Sequence, residues 1–237
     1  MQTNGFTLWL TGMSGAGKST LANYLGTRIR AIGRKNEILD HDDLGPVLSK
    51  ELGNTKEERH VSMSRLGLVA KLLTRNDCIA IAAAVSPHRE IRDRIRKDIG
   101  RFVEVFVDCT TEKLIERDTK GLYKKALAGD LPNFTGITEP YDTPQHAEVI
   151  VRTDAEPVEA SAEKVVQALV SIGYLKPEEA KAMTGKRIKA LPLGKSRAKA
   201  QARPKAAARS SKHRPAPKAR MSKRAAPRKS AKRARRS

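Results

Sequence analysis

The chain has 237 residues, with 47 Lys and Arg against 26 Asp and Glu, a formal charge of +21, and 39% hydrophobic residues. That apolar share suffices for one proper core. No stretch reaches the roughly 18 unbroken apolar residues of a membrane span, and no basic region with an apolar signal core opens the chain, so a soluble cytoplasmic protein is expected.

Residues 6–11 read as a short buried strand and residues 19–25 as the start of a helix. Between them Gly12-Met13-Ser14-Gly15-Ala16-Gly17-Lys18-Ser19 meets every term of the phosphate-loop pattern G-x-x-x-x-G-K-[ST]. Such a loop wraps a polyphosphate because glycines permit unusual dihedrals and close approach, while backbone N–H groups turn inward. The following helix N-terminus adds partial positive charge. Lys18 is placed to reach the β- and γ-phosphates and the Ser19 hydroxyl to hold Mg²⁺. Nucleoside triphosphate binding follows from this stretch, but the group that receives the phosphate does not.

Residues 36–40 form a second short strand that runs into Asp40, Asp42 and Asp43. Carboxylates at a strand's C-terminal end face the ligand crevice of an open α/β sheet. Asp40 and Asp42 are therefore candidates to arrange a metal or accept the acceptor's proton, while Asp43 reads first as a helix cap or solvated turn residue. Residues 57–75 are helical, with Leu66, Val69, Ala70 and Leu73 on one face. The apolar run 78–85 suits a central strand covered on both sides, and Ser86-Pro87 stops it. A charged helix over 88–98 leads to a strand at 102–108, after which Thr110 or Thr111 is placed to cap the next helix.

Residues 118–146 have no steady period. They hold Lys120, Lys124, Lys125, Gly121, Gly129 and Gly136, as suits a mobile loop over a phosphate site. A fifth strand at 148–151 and a helix marked by Val158, Ala162, Val165, Leu169 and Ile172 close the pattern. The alternation predicts an α/β fold: a doubly wound, mainly parallel five-stranded sheet with right-handed crossovers, occupying residues 1–184. Cys78 and Cys109 read as buried thiols in a reducing compartment, and His41 and His88 as partly exposed loop histidines.

The charge is uneven. Residues 185–237 carry 21 of the Lys and Arg and no acidic residue, so residues 1–184 balance 26 basic against 26 acidic side chains. Ala, Lys, Arg, Pro and Ser dominate this tail, and with so little to bury it is expected to be disordered. Its Lys and Arg suit non-specific, salt-sensitive nucleic-acid binding, or a tether to another acidic partner or membrane surface; without aromatics there is no basis for base recognition.

From about Gly5 to Ile172 the motifs resemble those of the adenylylsulfate kinases, P-loop kinases that phosphorylate the 3′-hydroxyl of adenylylsulfate (APS) with ATP. The run Gly5-Phe6-Thr7-Leu8-Trp9-Leu10-Thr11 into the phosphate loop, Arg59, Ser86-Pro87 with Arg89, and the strand 102–108 all carry the likeness. Most specific are Lys120-Gly121-Leu122-Tyr123-Lys124-Lys125-Ala126 and Asn133-Phe134-Thr135-Gly136-Ile137 with Pro140-Tyr141. The resemblance implies that Gly12, Ser14, Gly15, Ala16, Gly17, Lys18, Ser19 and Thr20 bind ATP, and that Ser19 and Asp40 hold Mg²⁺. It gives Lys18, Asp40, Asp42 and Ser86 to the catalytic site. It places Arg59, Ser62, Ser86, Lys120, Leu122 and Phe134 around the substrate, with Phe134 stacked on adenine. Ser86 matches a serine once proposed to carry a phosphoserine, although in-line transfer needs none. Family members often form dimers, so a homodimer is expected.

The chain departs from the family pattern where Asp-Gly-Asp-Asn followed by an arginine is replaced by Asp40-His41-Asp42-Asp43-Leu44-Gly45. Asn54 stands in place of an aromatic, Ser62 in place of an Asn and His88 in place of a Phe. The first three fall on the acceptor side, which predicts a raised KM for APS. Other readings are a kinase for a different small hydroxyl acceptor, or a nucleic-acid-associated nucleotide-binding protein.

Overall fold

The computed structural model describes residues 4–184. The basic tail expected over 185–237 lies outside the described residues.

Five strands, β1 (Thr7–Thr11), β2 (Asn36–Asp40), β3 (Ile79–Ala83), β4 (Phe102–Asp108) and β5 (Val149–Arg152), form one sheet in the order β2-β3-β1-β4-β5. Every neighbouring pair is parallel. The helices are α1 (Lys18–Ala31), α2 (His41–Leu48), α3 (Lys56–Arg75), α4 (Arg89–Ile99), α5 (Thr111–Arg117), α6 (Leu122–Leu127), α7 (Val158–Ser171) and α8 (Pro177–Thr184). The central strands β3, β1 and β4 are buried along almost their whole length because both their faces are covered. Leu8, Leu10, Ile79, Ile81, Val103 and Val105 pack in one core with α1, α7 and α8. Trp9, Ala80, Ala82 and Phe102 pack in a second with α3 and α4. Fully buried Trp9 fits there because β3 presents alanines, and its ring stacks on Phe102 at 5.9 Å.

Three helices escape the sequence reading. In α2, Gly45 and Pro46 mask the helical signal; its N-cap is Asp40, whose carboxylate accepts the Asp42 N–H at 3.0 Å, rather than Asp43. Helix α6, inside the stretch read as aperiodic, is too short for a period to register; the Asp118 carboxylate accepts the N–H groups of Tyr123 at 3.1 Å and Lys124 at 3.0 Å. Helix α8 extends the fold past the predicted closing helix. Thr110 is the N-cap of α5 without a side-chain bond, and its own N–H goes to the Asp154 carboxylate at 3.2 Å. Both cysteines are free, Cys109 buried and Cys78 half-buried. Among the described residues no helix is long and apolar enough to cross a membrane.

With all strands parallel, their C-terminal ends share one edge. The phosphate loop leaves β1 there, Asp40 ends β2, and the turn at Val85 and Ser86 follows β3. This edge is the topological place for a ligand.

Candidate active site

The phosphate loop is pressed against the sheet. Gly12 has φ +149°, and a Cβ there would sit 2.2 Å from the Val107 carbonyl oxygen, so only glycine fits. Gly17 caps α1 from the left-handed region. The Lys18 ammonium donates to the carbonyl oxygens of Gly12 at 3.0 Å and Met13 at 2.8 Å. Burial pushes its pKa down to about 8, against the opposing pull of Asp42 and Asp40 and with further lowering from Lys120. A desolvated cation held by carbonyl dipoles is poised for a polyphosphate.

A cleft of about 520 Å³ opens over the loop, lined by Ser14, Gly15, Gly17, Lys18, Ser19 and Thr20 and, across from them, Asp40, Asp42 and Lys120. Gly12 and Ala16 act from behind, Gly12 through its carbonyl and Ala16 as a buried core residue. Arg117, Thr153, Glu156 and Ser161 also line this cleft, and sequence reasoning missed them. Arg117 donates to the Thr153 carbonyl at 2.6 Å, and the Thr153 hydroxyl donates to the Ala16 carbonyl at 2.8 Å, tying β5 to the loop. Tyr123 was quoted only as part of a motif, yet its hydroxyl donates to the Ser14 carbonyl at 2.8 Å. Burial pushes that hydroxyl up to about 12, which keeps it a donor.

Lys120 pairs with Asp42 at 2.5 Å across the cleft mouth, with half or more of each side chain exposed. Such a pair is worth little in water, so either partner exchanges readily for a ligand.

A second cleft of about 290 Å³ adjoins the first and is lined by His41, Gly45, Asn54, Arg59, Ser62 and Ser86, among others. Gly45, Asn54 and Ser62, the three departures expected on the acceptor side, thus line one cleft. Ser62 is buried and bonds to His41 Nε2 at 2.8 Å and to Ser49 Oγ at 2.6 Å. Arg59 donates to the Asn54 carbonyl and the Thr135 hydroxyl, each at 3.0 Å, and to the Asn133 carbonyl, and faces Glu139 at 3.5 Å. It clamps the 133–139 loop onto α3.

Ser86 is 1% exposed; its hydroxyl accepts from Trp9 Nε1 at 3.0 Å and donates to Thr11 Oγ1 at 2.8 Å. Thr11 donates in turn to the Val85 carbonyl at 2.9 Å and accepts from Tyr141, whose hydroxyl burial holds protonated. Ser86 has φ +39°, strained for a residue with a Cβ. Buried Arg92 holds the turn, donating to the Ser86 carbonyl at 2.7 Å and the Asp142 carbonyl at 2.6 Å, and pairing with Glu104 at 2.7 Å. Leu122 and Phe134 are not among the residues lining either cleft. Leu122 begins α6, and the Phe134 ring meets Tyr123 edge-on at 5.0 Å. The phosphate loop is thus propped by α6, and α6 by Phe134.

The adenylylsulphate kinase family model matches residues 4–152, most of the described domain. The chain belongs to the adenylylsulphate kinase family. The adenylyl-sulfate kinase of a Picosynechococcus species is 48% identical over 177 residues, covering 75% of this chain and 100% of that one. That of Rippkaea orientalis is 49% identical over 175 residues, with 74% and 97% covered. Among solved structures, the Mycobacterium tuberculosis APS kinase, in complex with AMPPNP and APS, superposes with a TM-score of 0.67 at 34% identity, covering 71% of this chain and 99% of that one. As an adenylylsulphate kinase family member the chain is a nucleotide-dependent phosphotransferase.

Proposed function

We propose that this chain transfers the γ-phosphoryl group of ATP to the 3′-hydroxyl of APS, giving 3′-phosphoadenylylsulfate and ADP, as sulfate assimilation requires. The observation that carries the reading is the pair of clefts meeting beside Asp40, one floored by the phosphate loop and the other walled by α2 and α3. Phosphoryl transfer is mostly positioning and charge stabilisation. Loop N–H groups and the α1 N-terminus orient the triphosphate, and Lys18 turns from the carbonyls of Gly12 and Met13 to the β- and γ-phosphates.

Among the described residues no cluster of three His, Cys, Asp or Glu could hold a metal. One hydroxyl and one carboxylate, Ser19 and Asp40, nevertheless suit Mg²⁺, which keeps several waters and takes other ligands from substrate phosphates. The bound ion would neutralise charge on the phosphates. Asp42 accepts the proton of the attacking hydroxyl once Lys120 leaves it for the substrate's anionic groups. Ser86 shapes the acceptor wall: its hydroxyl is committed to Trp9 and Thr11, which leaves it poorly placed to be phosphorylated.

The reading is tested by incubating purified protein with Mg·ATP and APS and resolving nucleotides by anion-exchange chromatography. Matched formation of ADP and 3′-phosphoadenylylsulfate is expected; ADP without transfer would refute it. The tail reading rests on the 21 Lys and Arg at 185–237. Deleting those residues is expected to abolish salt-sensitive DNA retention while transfer persists, and a truncated chain that still binds DNA with a steep salt slope would overturn it.

A further inference from the structure

We propose that His41 contacts the acceptor directly, hydrogen-bonding APS beside the hydroxyl that receives the phosphoryl group, through the imidazole edge that Ser62 leaves free. The inference rests on the reaction proposed above. In-line transfer brings donor phosphate and acceptor hydroxyl together, so the transfer point lies where the two clefts meet. His41 and Val85 are the two residues that line both clefts, and of these His41 alone carries a polar side chain.

Its placement is set by the fold. His41 opens α2 immediately after the capping carboxylate of Asp40, which fixes the backbone from which the ring departs. Nε2 lies 2.8 Å from Ser62 Oγ, and Ser62 Oγ lies 2.6 Å from Ser49 Oγ, so two hydroxyls hold one edge of the ring. Gly45 lies under the ring, where a Cβ would stand 3.6 Å from Cε1 and 3.9 Å from Nδ1. Among the described residues Nδ1 has no hydrogen-bond partner, and it is not one of the buried polar atoms left unsatisfied. The free edge is therefore open to a ligand, and in either tautomer it can make one hydrogen bond.

A solely structural histidine would also be half-buried and bonded to Ser62. What separates the two readings is that His41 lines both clefts and keeps its Nδ1 edge unpaired among the described residues, which a ring serving only to hold Ser62 would not require.

The test is steady-state kinetics on the full chain, varying APS at saturating Mg·ATP and the reverse, for wild type, His41→Ala and His41→Asn. Asn sets an amide near the Nδ1 edge and keeps one hydrogen bond. His41→Ala is expected to raise the KM for APS roughly tenfold and leave the KM for ATP within about twofold, with His41→Asn recovering most of the loss. An unchanged KM for APS in His41→Ala, an equal loss toward both substrates, or no recovery in His41→Asn would overturn the contact. Wild type that makes no 3′-phosphoadenylylsulfate would overturn the reaction itself, and the contact with it. Wild-type turnover with an indifferent His41→Ala would overturn the contact alone.

Discussion

Replacing Lys18 by Met should separate stability from function. In the free enzyme the Lys18 pKa sits at about 8 instead of its ordinary 10.5, because burial penalises the charged form more than Asp42 and Asp40 compensate. Keeping that proton at neutral pH costs the folded state about 3 kcal/mol. The sign follows from proton counting. Between the two pKa values the unfolded chain binds the proton and the folded chain does not, so wild-type stability rises with pH across that window; below about 8 the cost is fully present. Lys18→Met has no such proton to lose. Its neutral chain also leaves the Gly12 and Met13 carbonyls to water, an offset that does not change with pH. The decisive quantity is therefore the difference between the two proteins in urea unfolding, measured without nucleotide and with chelator. Between about pH 7 and about pH 9.5 wild type should gain about 2 kcal/mol relative to Lys18→Met. A difference that stays flat would refute the buried, charge-starved lysine. Calorimetry offers a companion reading: ATP binding near pH 8 should take up about half a proton in wild type and less in the variant.

Other outcomes follow from the same geometry. Arg92 is 1% exposed and holds Glu104, the Ser86 carbonyl and the Asp142 carbonyl, so Arg92→Met should cost about 3 kcal/mol in urea unfolding; a loss below about 1 kcal/mol would show that Arg96, 3.1 Å from Glu104, suffices. Asn54 lines the second cleft, and Asn54→Phe should lower the KM for APS roughly fivefold or more by stacking on the base, whereas an unchanged KM would place the adenine elsewhere. Tyr123→Phe removes the bond to the Ser14 carbonyl and should raise the KM for ATP with little effect on that for APS; equal effects would deny α6 its role under the phosphate loop.

The elements that could be read from the chain are those whose cause is local. The bounds of β2 and β4 coincide with the strands read at residues 36–40 and 102–108, and the loop before α1 is legible because glycine spacing and the lysine carry its chemistry within a few residues of one another. Local cues fail where an element is short or interrupted: α6 spans less than two turns, and α2 contains Gly45 and Pro46. They also misassign Asp43, since which of three nearby acids caps α2 depends on where β2 ends.

The site depends on distances no local pattern carries. Ser86 looks like a free hydroxyl until the parallel sheet brings Trp9 and Thr11 beside it, from 77 and 75 residues away in sequence. Arg59 lines the second cleft and is also tied to Asn133 and Thr135, 74 and 76 residues on in the chain, which no local pattern shows. His41 reads as an incidental loop histidine, and becomes the polar side chain between two clefts only when α3 sets Ser62 against it. The sequence by itself determined the α/β class, the phosphate loop and the family, because these rest on spacing along the chain. Tertiary structure decided which polar groups stay free for a ligand, because crossovers between parallel strands satisfy some and leave others open.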